Sequence, residues 1–399
     1  MGEKEGYMEK AGGRFVSATL DGSGNQSCFC PASPEMPVTG RVFYRLFMGG
    51  TYAFSALFSD GMDTTYGDGG FSRAGQKLGG WRIISARMGV AARAEPPAFD
   101  EPGCLLPVTF DGKTERVVAP GDVFRSDPVR LNGKKGGWLC LETTVQGVRI
   151  PCHPETLLPS FARTDRGWVP SGNVLFAGQI GCDRPAALRI GFLGDSITQG
   201  IGTAPHACQH WCARLAECLG QKNAYWNLGL GFARASDAAL NGTWMDKARQ
   251  NDGVFLCLGV NDLLQGASAE TVLRDLEKTV ELLHEAGTAV FLQTVPPFDY
   301  EGEARAAWLR VNEALRGVLA GKTEGFFDNV PVLCADDDAP WRARYGGHPN
   351  AEGCAAWAAA LEEKARRFLD CVKRKPSCKE EKLCDINASG GDLRQPSGA

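Results

Sequence analysis

The sequence lacks a long apolar segment. No uninterrupted apolar run approaches the roughly 18 to 20 residues that span a bilayer, so we expect a soluble protein that does not act at a membrane. The first ten residues mix acids with bases and contain no apolar stretch of the kind found in secretory signals. We therefore expect a cytoplasmic protein.

The sequence also lacks an excess of charge of one sign. The net charge is only -4 over 399 residues, which excludes the global basic field that attracts nucleic acid. Fifteen cysteines are present, but the number is odd and they lie singly in apolar segments, as around Cys257 and Cys334. This distribution is typical of buried, reduced thiols rather than of a disulfide framework.

Up to about residue 185 the chain consists of short β-branched and aromatic stretches between Gly, Pro and Asp turns. Several of these stretches alternate polar and apolar residues, and no long helical periodicity interrupts them. The pattern predicts an antiparallel β-sandwich or jelly-roll-like domain. The stretches are 41–47, 52–58, 81–84, 138–145 and 147–150.

From about residue 186 strand-like apolar runs alternate with longer amphipathic segments, which predicts an α/β domain with a parallel sheet between helices in three layers. The last helix is expected over about 351–372, and the polar, Gly/Ser-rich end has no apolar periodicity. The predicted organisation is an all-β accessory domain at 1–185, an α/β domain at 186–374 and a disordered tail at 375–399.

Four short polar motifs follow the predicted strands of the α/β domain. Ser196 stands in a glycine-rich turn directly after a buried strand, where a nucleophile would be presented. Further along the chain come Gly231, Asn261 and, near the C-terminal end, His348. Ligands of open α/β sheets bind at the carboxyl ends of the strands, so one pocket can gather all four motifs.

These motifs, in this order, resemble the SGNH/GDSL hydrolases over about residues 186–372. The resemblance implies a serine esterase in which Ser196 is the nucleophile, Gly231 and Asn261 are oxyanion donors and His348 is the general base. It implies no metal and no organic cofactor. The motifs are Gly194-Asp-Ser196, Asn227-Leu-Gly-Leu-Gly231, Gly259-Val-Asn-Asp262 and His348-Pro-Asn350.

Two features depart from the pattern of that family. The second motif often extends by one residue to a glycine, so the backbone donor is the amide of Gly231 or that of Phe232. The family usually places an aspartate three residues before the histidine, where this chain has Tyr345. Either His348 works in a Ser–His dyad with a backbone carbonyl orienting Nδ1, or a carboxylate of the 336–338 cluster reaches it. That cluster consists of Asp336, Asp337 and Asp338.

Several other residues are candidates for contacts with substrate. The glycine-rich segment 58–70 sets polar turn residues beside aromatics, which suits sugar hydroxyls, although a loop of this kind also arises from packing alone. The candidates are Asp63, Tyr66, Asp195 and Tyr345.

One further cluster has the composition of a metal site. A helix through this region would point its members to different faces, so we predict no metal site here. The cluster is His206, Cys208, His210 and Cys212.

Together these features predict an esterase that removes short acyl groups, most simply O-acetyl groups of a carbohydrate. The arrangement of a β-sandwich beside an SGNH domain resembles that of some carbohydrate esterases. The substrate is a small-molecule or saccharide ester, with no nucleic-acid or membrane partner. A lysophospholipase or thioesterase would use the same residues, but no apolar lid segment is evident. The alternative from another class is a carbohydrate-binding protein whose hydrolase domain has lost activity.

Overall fold

The computed structural model describes residues 16–20, 28–30, 36–61, 63–65, 80–147 and 150–374. The side chains of 28–30 are not described. The candidate contact Tyr66 and the predicted tail at 375–399 lie outside the described residues.

The N-terminal part of the chain forms short strands. In chain order these are β1 (Val16–Ser17), β2 (Cys28–Cys30), β3 (Val38–Arg45), β4 (Gly50–Ser59), β5 (Trp81–Ala91), β6 (Leu106–Val108), β7 (Arg116–Val118), β8 (Val123–Arg125), β9 (Val129–Gly133), β10 (Trp138–Gly147), β11 (Ile150–Cys152), β12 (Ser160–Thr164), β13 (Gly167–Pro170) and β14 (Gln179–Cys182).

These strands build two larger antiparallel sheets and the short antiparallel pair β11-β2. One has the order β1-β14-β4-β8, with β9 also paired to β4, and the other has the order β13-β12-β3-β10-β5-β6, with β7 also paired to β5. Strand β9 buries Val129 and Leu131 and exposes Arg130 and Asn132, as expected when one face of a sheet meets the core. Phe58 and Phe124 stack in that core with ring centroids 5.5 Å apart. The predicted sandwich is confirmed.

The C-terminal part alternates strands and helices. In chain order these are β15 (Arg189–Gly194), α1 (Ser196–Gln199), α2 (Trp211–Leu219), β16 (Ala224–Gly229), α3 (Ala235–Ala239), α4 (Thr243–Ala248), β17 (Gly253–Cys257), α5 (Val260–Leu264), α6 (Ala269–Glu285), β18 (Ala289–Gln293), α7 (Gly302–Gly317), β19 (Gly325–Phe327), α8 (Val330–Leu333) and α9 (Ala351–Arg374). Among the helices of the described residues, none has both the length and the apolarity needed to cross a bilayer.

All five strands of the sheet in this C-terminal part are parallel, in the order β16-β15-β17-β18-β19. Strands β16, β17 and β18 are buried along their whole length, which explains why they read as continuous apolar runs in the sequence. The chain leaves β15 to form β16 on one side and later β17 on the other. The predicted α/β fold is confirmed, and β15 lies beside the switch point where such sheets bind ligands.

The two parts share a buried interface along edge strand β16. The ring of Phe47, from the loop after β3, meets that of Tyr225 edge to face at 5.4 Å. Trp226 donates its indole N–H to the carbonyl of Gly178 at 3.1 Å, and Arg184 donates to the carbonyl of Asn223 at 2.6 Å. The sandwich therefore covers the open edge of the parallel sheet.

Phe47 provides a test of this interface. Phe47→Ala removes a ring that is 3% exposed, and we expect a loss of about 3 to 5 kcal/mol in the free energy of unfolding, the usual scale for a buried phenylalanine. Val117→Ala, at a side chain 77% exposed, should change it by less than about 0.5 kcal/mol. Denaturant unfolding measures both, and equal losses would contradict the interface.

Candidate active site

Ser196 and His348 meet at the carboxyl edge of the parallel sheet. The Oγ of Ser196 lies 2.8 Å from Nε2 of His348, although the two residues are 152 positions apart in the chain. Ser196 is the first residue of α1, immediately after β15, and His348 lies in the segment between α8 and α9. Both residues are partly exposed, so a substrate can reach the pair.

The turn that presents Ser196 is held by close packing. A side chain at Gly194 would come within 2.0 Å of the Thr198 hydroxyl and 2.6 Å of the Cys257 carbonyl, so only glycine fits. Asp195 caps α1, because its Oδ1 accepts the amide N–H of Ile197 at 2.9 Å. The amide of Ser196, at the first position of the helix, has no acceptor within the helix and is a candidate oxyanion donor.

Asp195, predicted to contact substrate, is buried in the turn as the cap of α1. Its side chain is buried and faces the helix backbone. Burial raises the pKa of Asp195 to about 7; the hydrogen bond from Ile197 opposes this shift and the carboxylate of Asp262 adds to it.

His348 is held by packing. The ring of Phe298 meets the imidazole edge to face at 5.4 Å, and Gly202, at φ +97°, approaches the His348 backbone so closely that a side chain would come within 2.6 Å of its carbonyl oxygen. Burial lowers the pKa of His348 below its ordinary value, which keeps the imidazole neutral and able to accept a proton at pH 7.

The aspartates of the 336–338 cluster do not reach the histidine. All three side chains are exposed, and Asp336 accepts the amide of Asp338 at 3.0 Å in a local turn. Within the described residues neither a carboxylate nor a backbone carbonyl bonds to Nδ1 of His348. The expected carbonyl partner is thus absent from this part of the chain, and the contact that orients the ring is the one with Phe298.

The loop after β16 forms the second wall of the site. The amide of Leu230 donates to the carbonyl of Gly194 at 2.9 Å, and that of Ala233 donates to the carbonyl of Leu230 at 3.1 Å. Gly231 is buried, and its amide donates to no acceptor among the residues that the structure covers. Phe232 has φ +59°, a left-handed conformation that is rare outside glycine. We call residues 230–233 the oxyanion loop.

Asn261 connects to this oxyanion loop from the segment after β17, the next strand along the chain. Asn261 is the second residue of α5. Its Nδ2 donates a hydrogen bond to the carbonyl of Ala233 at 2.9 Å. An amide group carries two such hydrogens, and the second has no acceptor within the described ranges. The predicted donors therefore belong to one bonded unit that also includes the strand preceding Ser196.

The other predicted contacts lie elsewhere. Asp63 is buried and pairs with Lys247, whose Nζ lies 2.6 Å from Oδ2, so it joins the two domains and has no surface to offer a substrate. Tyr345 is half-buried and packs against Gly353 at the start of α9. Sequence reasoning missed Phe298, which reads as an ordinary apolar residue and is brought to His348 by the fold.

The segment with metal-like composition does not converge on a point. His210 caps α2 by accepting the amide of Ala213 at its Nδ1, at 3.3 Å, and the thiol of Cys212 donates to the Thr198 carbonyl at 3.3 Å. No group of three or more His, Cys, Asp or Glu residues in the described ranges is arranged to hold a metal ion.

Part of the chain is similar to a known protein family. Residues 192–356 match the model of the GDSL-like lipase/acylhydrolase family. Comparison with curated proteins finds no match.

Solved structures match less than half of the chain. The chain is similar to a carbohydrate acetylesterase family member from Sinorhizobium meliloti, with 20% identity over 46% of this chain and 99% of the other and a TM-score of 0.37. It is also similar to a member of the lipolytic protein G-D-S-L family from Veillonella parvula, with 21% identity over 44% and 96% and a TM-score of 0.36. An aryl esterase of M. smegmatis matches with 18% identity over 45% and 99% and a TM-score of 0.36.

The exposed aspartates supply one prediction. Asp336→Asn, Asp337→Asn and Asp338→Asn should each keep kcat within roughly threefold, whereas His348→Ala should lower it by about 10³ or more, the scale of losing a catalytic group. Steady-state kinetics on p-nitrophenyl acetate compares the four variants. A severe loss in one aspartate variant would reveal a carboxylate that reaches the histidine during turnover.

The buried cap supplies a second prediction. The pKa of Asp195 is raised from an ordinary 3.8 to about 7, so ionising this group between those pH values destabilises the folded protein. Asp195→Asn keeps a capping side chain and removes the charge. The Tm of the variant minus that of wild type should therefore rise by several degrees between pH 4 and pH 8. For a chain of this size, a Tm change of about 4 °C corresponds to a change of 1 kcal/mol or more in the free energy of unfolding. A pH-independent difference would contradict the raised pKa.

Proposed function

We propose that this chain, which belongs through residues 192–356 to the GDSL-like lipase/acylhydrolase family, is a serine esterase that hydrolyses short-chain acyl esters. The contact of 2.8 Å between Ser196 Oγ and His348 Nε2 carries the proposal. A serine hydroxyl is a weak nucleophile unless a base lies within hydrogen-bond distance. The match to the family supports ester hydrolysis in general. The roles of the individual residues at this site are part of our proposal.

In the proposed mechanism Ser196 attacks the acyl carbonyl while His348 takes the hydroxyl proton at Nε2. The carbonyl oxygen becomes negatively charged, and donors aimed at that position stabilise it. These donors are the amide of Ser196, the free Nδ2 hydrogen of Asn261 and an amide of the oxyanion loop, from Gly231 or Phe232. His348 then protonates the leaving alcohol, and water releases the acid from the acyl-enzyme by the same steps in reverse order.

The surroundings of His348 suit a base without a carboxylate partner. The lowered pKa keeps the imidazole in its neutral form, and the ring of Phe298 limits its rotation. A carboxylate would also stabilise the imidazolium formed during attack. Within the described residues the ring of His348 is oriented by packing and no carboxylate supplies that charge, so we propose a Ser–His dyad.

A small acyl group is the proposed substrate moiety. The segments that carry the site, 194–203, 229–234, 258–262 and 345–350, are short and each contains glycine. A long acyl chain needs a continuous apolar channel or lid, and no such segment occurs among them. This supports acetyl esters over lipid esters.

The proposed alcohol moiety is a carbohydrate. The polar segment that follows β4 reaches the C-terminal domain at Asp63 and Thr65, so the sandwich borders the oxyanion loop. A site formed at a domain border suits a substrate larger than the acetyl group itself.

A chain-length series tests the proposal. Wild type should hydrolyse p-nitrophenyl acetate with a kcat/KM at least about tenfold above that for the octanoate, since a missing apolar pocket forfeits roughly 1 kcal/mol or more of binding. Ser196→Ala should abolish turnover and labelling by a serine-directed phosphonate. Acetate release from acetylated oligosaccharides, measured on the same enzyme, tests the carbohydrate moiety.

Each alternative has its own outcome. A maximum at octanoate or longer esters would support a lysophospholipase or thioesterase. Wild-type protein that neither turns over esters nor reacts with the phosphonate, yet binds saccharides, would support the non-catalytic carbohydrate-binding protein.

A further inference from the structure

A short segment after β4 connects the sandwich to the oxyanion loop. Its first end is fixed in the sandwich by Asp60, which is fully buried. One carboxylate oxygen of Asp60 accepts the indole N–H of Trp81 at 2.9 Å, and the other accepts the amide of Gly121 at 2.8 Å. The segment therefore leaves the sandwich from a defined point.

Its other end is fixed in the C-terminal domain by Asp63. The side chains of Asp63 and Lys247 are 1% and 2% exposed, and their charged atoms lie 2.6 Å apart. The hydroxyl of Thr243 donates to the second carboxylate oxygen of Asp63. A buried ion pair with further hydrogen bonds tolerates little displacement, because separating it leaves an uncompensated charge.

Thr65 follows Asp60 and Asp63 in the same segment. This side chain is 3% exposed, and its hydroxyl donates a hydrogen bond to the carbonyl oxygen of Gly231. Thr65 lies outside residues 192–356, the part of the chain matched by the family model. A residue of the sandwich thus contacts the backbone of the oxyanion loop.

The bonded carbonyl belongs to the peptide unit that joins Gly231 to Phe232. A trans peptide is planar, so its C=O and N–H point in opposite directions and fixing one fixes the other. This unit leads into the left-handed residue Phe232, at φ +59°, which returns readily to an ordinary conformation unless its neighbours hold it. The other hydrogen bonds of the loop involve different peptide units: the amide of Leu230 donates to Gly194, the amide of Ala233 donates to Leu230, and the carbonyl of Ala233 accepts from Asn261.

We propose that Thr65 is a positioning residue for ester hydrolysis, whose hydroxyl holds the Gly231–Phe232 peptide so that the amides of the oxyanion loop keep the orientation needed at the transition state. The accessory domain thereby completes the active site. This inference rests on the proposed esterase function. It concerns only catalysis after binding, because the Thr65 side chain is 3% exposed and its hydroxyl bonds to the backbone of the loop.

The test compares three variants with wild type on p-nitrophenyl acetate. Thr65→Val keeps the shape and removes the donor, and we expect kcat to fall by about 10- to 100-fold, up to the scale of one oxyanion donor, with KM changed by less than about threefold. Thr65→Ser restores a hydroxyl and should recover kcat to within about threefold of wild type. Thr65→Cys, a weak donor, should fall between the two.

A matched control separates this effect from a general loss of stability. Thr39 bonds through its hydroxyl to that of Thr144 at 3.0 Å within the sandwich, and Thr39→Val should leave kcat and KM unchanged. The Tm of every variant is measured alongside. If Thr65→Val does not fold, the ranking of Ser above Cys in kcat decides the question at matched Tm.

The possible outcomes test the positioning role of Thr65 separately from the proposed esterase function. Turnover retained by Ser196→Ala would overturn the proposed esterase mechanism. An inactive Ser196→Ala together with an unchanged kcat in folded Thr65→Val would overturn the positioning role alone. A rise in KM at constant kcat, or equal activity of the Ser and Val variants, would also overturn it.

Discussion

The close approach of α1 to the ends of β15 and β16 is the constraint on which the rest of the site depends. A side chain at Gly194 would meet the Thr198 hydroxyl at 2.0 Å, and one at Gly229 would meet the amide nitrogen of Gln199 at 2.1 Å. The helix begins at once after the strand because neither position carries a side chain. Ser196 is thereby held at the carboxyl edge of the sheet, where the oxyanion loop and His348 can meet it.

The site also depends on contacts that cross between the two domains. The sandwich covers edge strand β16 through Phe47 and Trp226, and the Asp63–Lys247 pair buries opposite charges in the same interface. A buried pair of this kind adds little net stability but specifies one arrangement of its partners. The sandwich is therefore part of the framework of the site, and its borders with the oxyanion loop explain how an accessory domain can influence chemistry.

The histidine illustrates a different solution to a common problem. A base must hold one ring orientation and remain neutral until it accepts a proton. Here burial maintains the neutral form of His348, while Phe298 and the glycine-lined backbone around position 202 set the ring. Packing can orient an imidazole in this way, but it supplies no negative charge, so the oxyanion donors carry more of the stabilisation in the proposed reaction.

The sequence by itself determined the two fold classes and the candidates Ser196, Asn261 and His348, because apolar periodicity and strand-end motifs are local signals that survive without coordinates. It also showed that Tyr345 occupies the position where the family usually has an aspartate. Only the tertiary structure decided the burial of Asp195 and Asp63, the contact of Phe298 with His348 and the bond from Thr65 to Gly231. These depend on which distant segments pack together, and packing between segments that are far apart in the chain, such as Thr65 and Gly231 at 166 positions, leaves no periodic trace in either one.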